Sequence, residues 1–102
     1  GLLIPHPNGI VIHPDAYIGV NCLIHQQVTI GVNRKSNKPP TIAGHVDIGA
    51  GAKIIGDISI GAHALIGANS VVINDVEAYA IVGGIPAKVI GHTNKNVSSK
   101  KI

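Results

Sequence analysis

The sequence predicts an all-β chain wound into a parallel β-helix. Its apolar content comes from isoleucine, valine and leucine (18, 11 and 4 of 102 residues), while Phe, Trp and Met are absent. Branched aliphatics favour strands, and a core without large rings implies a narrow interior of constant cross-section. Thirteen glycines and six prolines puncture helices but suit frequent turns. The third observation is a six-residue period. Every sixth residue from Ile12 reads Ile12, Ile18, Ile24, Ile30, Ser36, Ile42, Ile48, Ile54, Ile60, Ile66 and Val72, aliphatic at every step but one.

A period of six fits neither a 3.6-residue helix nor a long alternating strand, nor the period-2 pattern of a sandwich. It fits short strands joined by corners, three to a coil, with coils stacked about 4.8 Å apart. The repeated Ile points inward and meets its equivalent eighteen residues away. Four residues after each, the side chain is small or aliphatic, as at Ala16, Cys22, Val28, Val46, Ala52, Ile58, Ala64, Ser70 and Val76; Arg34 is the exception. Glycine follows the repeated Ile at Gly19, Gly31, Gly49, Gly61 and Gly67.

From Asn33 to Pro40 the pattern fails, yet Ile30 and Ile42 stay in phase. A polar, basic segment over 33–40 is therefore looped out at a corner while the spine continues, and such loops are where function sits on a rigid scaffold. After Val72 the pattern decays. Gly83, Gly84 and Pro86 are expected to end regular strand pairing, and the stretch from Val89 onward to fray as a polar end. Part of this segment is expected to cover the last strand edge. Residues 1–91 thus form one domain and 92–102 a tail.

The net charge of +3 attracts phosphates modestly, but nucleic-acid readers add aromatic stacking platforms. With Tyr17 and Tyr79 as the only aromatic rings besides histidine, no nucleic-acid partner is expected. No apolar run approaches a membrane span and no signal segment opens the chain. Cys22, the single cysteine, makes no internal disulfide, which fits a reducing compartment. A cytoplasmic protein is expected, and the opening Gly1 in a chain without Met suggests a fragment or a processed product.

The hexads, the loop and the GGIPAKVIG ending together resemble the hexapeptide-repeat acyltransferases, in particular the catalytic domain of serine acetyltransferases. The stretches that carry the resemblance are GLLIPHPNGIVI, QQVTIG, the loop followed by PTI, VDIGAGAKIIG, IGANSVV and GIPAK. The resemblance implies a left-handed helix, a homotrimer with active sites between neighbouring prisms, and acetyl transfer from acetyl-CoA to a hydroxyl. A hydroxyl needs a general base as it attacks a thioester, and histidine is suited to that task. The resemblance places the base on His6, where an aliphatic residue is due six positions before Ile12. It places an oxyanion-stabilising amide near Gly31 or Val32, the coenzyme arm along Ala50 and Ala68, and a coenzyme phosphate on Lys88.

Other histidines compete. His25 follows Ile24 where glycine is frequent, close to the loop, and is the reserve candidate for the base. His45 and His63 are eighteen apart and should stack at one corner; no metal is expected on them. The sequence also departs from the family pattern. Pro5 stands where an acidic residue precedes the base, and Lys38-Pro39 stands where an Arg-His pair ends the loop. Free serine carries an ammonium and a carboxylate. Arg34, Lys35 or Lys38 offers a partner for the carboxylate, while nothing in the chain obviously holds the ammonium. The acceptor is accordingly serine or a saccharide hydroxyl. A non-catalytic trimerisation module is the reading from a different class.

Overall fold

The computed structural model describes residues 2–4 and 8–93. Among these are twelve strands and no helix. The strands are β1 Val11–Ile12, β2 Tyr17–Ile18, β3 Leu23–Ile24, β4 Thr29–Gly31, β5 Thr41–Ile42, β6 Asp47–Ile48, β7 Lys53–Ile55, β8 Ser59–Ile60, β9 Leu65–Ile66, β10 Val71–Val72, β11 Ala80–Gly84 and β12 Ala87–His92. They form three sheets, one per side of a prism. The first is β1-β4-β7-β10, the second β2-β5-β8, and the third β3-β6-β9-β11-β12. All pairings are parallel except the last, between β11 and β12. The chain is a left-handed parallel β-helix, drawn out to 42 × 25 × 20 Å.

Register follows the hexads. Ile12 pairs with Ile30, which pairs with Ile54, and Ile54 with Val72 on the first sheet. Ile18, Ile42 and Ile60 align on the second sheet, and Ile24, Ile48, Ile66 and Val82 on the third. The seven isoleucines from Ile24 to Ile66 in this series are at most 1% exposed. Full burial of such a side chain contributes about 1.5–3 kcal/mol, so these columns supply most of the cohesion. Three of the glycines after the repeated Ile, Gly19, Gly49 and Gly61, answer a steric demand from the next coil's backbone. A Cβ on Gly49 would stand 2.7 Å from the Ala68 nitrogen of the next coil, and one on Gly61 only 2.3 Å from that of Ala78.

Three coils depart from an eighteen-residue turn, the first because Leu3 pairs with Leu23, 20 positions on. Tyr17 pairs with Thr41, 24 positions on, because the loop adds six residues. The spine resumes at Pro40, which is fully buried directly before β5. In the last coil Leu65 pairs with Ile81 and Ile60 bridges to Val76, only 16 positions on. The expected decay after Val72 is thus a two-residue shortening: Val76, Ala80 and Val82 are all buried and continue the columns.

Gly83 and Gly84 likewise do not end strand pairing. Parallel pairing with β9 stops at Val82, but Gly84, with φ +99°, starts a tight reversal through Ile85 and Pro86. β12 then returns antiparallel to β11, with a bulge between Ile81 and Val82. The expected fraying from Val89 is corrected in the same way, since Val89–His92 belongs to β12. This hairpin covers the β11 edge, as the sequence led us to expect of its last segment. Of the tail assigned to 92–102, residues 94–102 fall outside the described residues. No helix among the described residues is long and apolar enough to cross a membrane.

Candidate functional site

The prism has three corners. Corner I joins the first sheet to the second, corner II the second to the third, and corner III the third to the first. At corners II and III one residue per coil takes a left-handed backbone, and these residues lie in columns. Corner III has Gly9, Gln27, Gly51 and Asn69, and corner II has Asn21, His45, His63 and Tyr79, with φ between +58° and +76°. At corner II the column stacks its rings. His45 and His63 are parallel at 4.8 Å between centroids, as their spacing predicts, and Tyr79 joins them at 4.8 Å. Tyr79 escapes a count of eighteen because its coil is two residues short. No group of three metal-ligating side chains occurs among the described residues.

Corner I carries the loop. The Asn33 carboxamide oxygen accepts the backbone N–H groups of Lys35 and Ser36, both at 2.9 Å, and Ser36 Oγ accepts that of Lys38 at 3.1 Å. The loop is therefore tied by its own polar side chains. Asn33 also packs over Gly56, whose Cβ would come within 2.8 Å of the Asn33 amide nitrogen. Arg34, Lys35 and Lys38 are exposed, and none makes an ion pair among the described residues. Gly31 ends β4 and its carbonyl accepts the Gly56 N–H at 2.9 Å, whereas the Val32 N–H makes no backbone hydrogen bond among the described residues.

Ala50 and Ala68 lie at corner III, in successive coils joined by a bond from the Asn69 N–H to the Ala50 carbonyl at 2.8 Å. Ala50 is half-buried and Ala68 exposed. Lys88 is exposed on β12 opposite Gly83, and Gly83 follows Val82 as Gly67 follows Ile66 and Gly49 follows Ile48. Ala50, Ala68 and Lys88 thus rise along one edge of the prism. His6 lies outside the described residues. The structure does not bring Gly31 and Val32 to Ala50 and Ala68: they stand at different corners of the same prism.

A pairing the sequence did not announce also reaches corner III. His25 Nε2 lies 3.2 Å from Asp47 Oδ1, with the two side chains 32% and 44% exposed. The carboxylate only accepts, so Nε2 carries the proton. Asp47 is the polar member of an outward column on the third sheet that otherwise reads Leu3, Leu23, Leu65 and Ile81. That contrast was a readable signal, obscured because the partners are 22 residues apart. The other histidine–carboxylate pair, His92 with Glu77 at 2.7 Å, fastens β12 to corner II in the open.

No protein-family model matches the chain. A serine acetyltransferase of Synechococcus elongatus is 47% identical over 92 residues, covering 88% of this chain and 38% of that protein. Among solved structures, Brucella abortus serine acetyltransferase in complex with coenzyme A superposes with a TM-score of 0.88 at 40% identity, covering 91% of this chain and 38% of that one. Neisseria gonorrhoeae serine acetyltransferase in complex with serine superposes at 0.82 with 43% identity, covering 86% and 36%. This chain spans less than two fifths of the length of each. By sequence and by fold, the chain is a serine acetyltransferase-like hexapeptide-repeat β-helix.

Proposed function

We propose that this chain is the catalytic β-helix of an acetyl-CoA-dependent serine O-acetyltransferase. The observation that carries the reading is the 47% identity over a stretch that includes both the loop and the repeats that build corner III. His6 takes the proton of the acceptor hydroxyl as its oxygen attacks the thioester carbonyl. The tetrahedral intermediate collapses, the carbon–sulfur bond breaks, and the departing thiolate recovers the proton from His6. The Val32 amide, without a backbone partner, suits the developing oxyanion. Ala50 and Ala68 leave room for a pantetheine arm along corner III, and Lys88 meets a coenzyme phosphate. Arg34, Lys35 and Lys38 bring positive charge to the acceptor's carboxylate.

The separation of these groups between corners I and III favours a site shared by two copies, and a trimer closes that contact by three-fold symmetry. The reading places the protein in the cytoplasm, in keeping with the buried free thiol of Cys22. A thiol-release assay with acetyl-CoA and serine tests it. Turnover that falls by ~100-fold or more in His6→Ala is expected for a lost general base. Absence of turnover together with absence of coenzyme binding in calorimetry would leave a non-catalytic trimerisation module. Light scattering reads the assembly, and a stable monomer at micromolar concentration would remove the shared site.

A further inference from the structure

We propose that Asp47, held by His25, anchors the ammonium group of an amino-acid acceptor; the inference deepens the reading above and rests on it. Free serine presents one positive and one negative group around its hydroxyl, so its site must answer both. The loop supplies cations. The chain has five acidic side chains, and all of them are described. Asp15, Asp57 and Asp75 belong to corner I, where Asp75 already accepts the Ser59 N–H at 2.9 Å. Glu77, at corner II, is bonded to His92. Asp47 alone stands on the third sheet, whose strands run into corner III.

Its partner, His25, begins corner III one coil above Leu3 and Asn8. The Ile24 N–H donates to the Leu3 carbonyl at 3.0 Å and the Gln27 N–H to the Asn8 carbonyl at 2.9 Å. His25 and Gln26 therefore turn corner III one coil above Ile4 and Asn8. The lower segment, from Leu3 to Gly9, holds two more residues than the upper one from Leu23 to Gln27, with which it is in register at both ends. With Nε2 donating to Oδ1, the pair keeps two unused acceptors, His25 Nδ1 and Asp47 Oδ2, and one negative charge when the imidazole is neutral. An ammonium brings three donors and no acceptor, which is the complement of that arrangement. A sugar hydroxyl has no use for the charge. Asp47 thus provides the negative partner that Pro5 does not.

The test compares wild type, Asp47→Asn, Asp47→Glu and His25→Gln, each with a native circular dichroism spectrum. The acceptors are serine and 3-hydroxypropanoate, which keeps the hydroxyl and carboxylate but lacks the ammonium. Losing one charge-assisted contact should lower kcat/KM for serine roughly 10- to 100-fold in Asp47→Asn, mostly through KM. Turnover of 3-hydroxypropanoate should not change, so the preference for serine collapses. His25→Gln should weaken the preference in part, and Asp47→Glu should restore some of it. An unchanged preference in Asp47→Asn overturns the proposal, and so does equal loss with both acceptors. Should wild type turn over neither acceptor, the functional reading fails while serine calorimetry still decides this one. Weaker serine binding in Asp47→Asn than in wild type supports the anchor; equal binding, or none in wild type, overturns it.

Discussion

Ser70 buries its hydroxyl completely and gives it no hydrogen-bond partner. Its neighbours in the same column are Val28 and Ala52, both 0% exposed, so the site is apolar by construction. An unpaired buried hydroxyl costs about 1–3 kcal/mol. Ser70→Ala should therefore raise the melting temperature by several degrees, measured by calorimetry, and an unchanged or lower value would show that the hydroxyl is paired. At this scale the sequence told a partial story. It placed His45 over His63 because a count of eighteen needs no structure. It missed Tyr79 above them and Asp47 beside His25, since both depend on coils whose lengths depart from the repeat.

The loop and the hairpin show the same contrast between elements. The loop was legible because the phase is recovered on its far side: Ile42 returns on time, and any insertion of six residues leaves the register of later coils intact. Removing residues 33–38 would rejoin Val32 to Pro39 and restore an eighteen-residue coil. The variant should keep its β-sheet spectrum and melt within a few degrees of wild type, because loop-closure terms are small. Acetyl transfer should be lost by ~100-fold or more, since the cations proposed to meet the acceptor leave with the loop. A variant that retains turnover would show that the loop is dispensable. The hairpin was illegible for the opposite reason. Two missing residues shift the phase, so counting by six arrives at Ala78 and Gly84 while the inward positions are Val76 and Val82.

Across the whole molecule, stability is distributed as a stack in which each coil touches only its neighbours. Ile48 sits in the middle of its column at 0% exposure, and Ile48→Ala should cost about 2–5 kcal/mol by chemical denaturation. Ile12, only partly buried where Ile48 is fully so, should cost less than half as much. Equal losses at the two positions would mean that the chain unfolds without regard to where a coil lies in the stack. The candidate site was legible as a set of residues but not as an arrangement. Nothing in the spacing alone says that Gly31 and Ala50 belong to different corners, because corner membership follows from the three-sheet winding.

The reversal at β12 has one more outcome. A screw built of identical parallel turns has no natural end, and the top of one copy could receive the bottom of another indefinitely. By laying β12 backwards, the chain gives the third sheet an edge whose polarity no incoming parallel turn can continue. On that sheet, growth along the axis is opposed by direction instead of by charge. Truncation after Gly84 would re-expose β11 as a parallel template. Such a variant should show concentration-dependent, end-to-end polymers by light scattering and electron microscopy, with the full chain remaining of defined size under the same conditions.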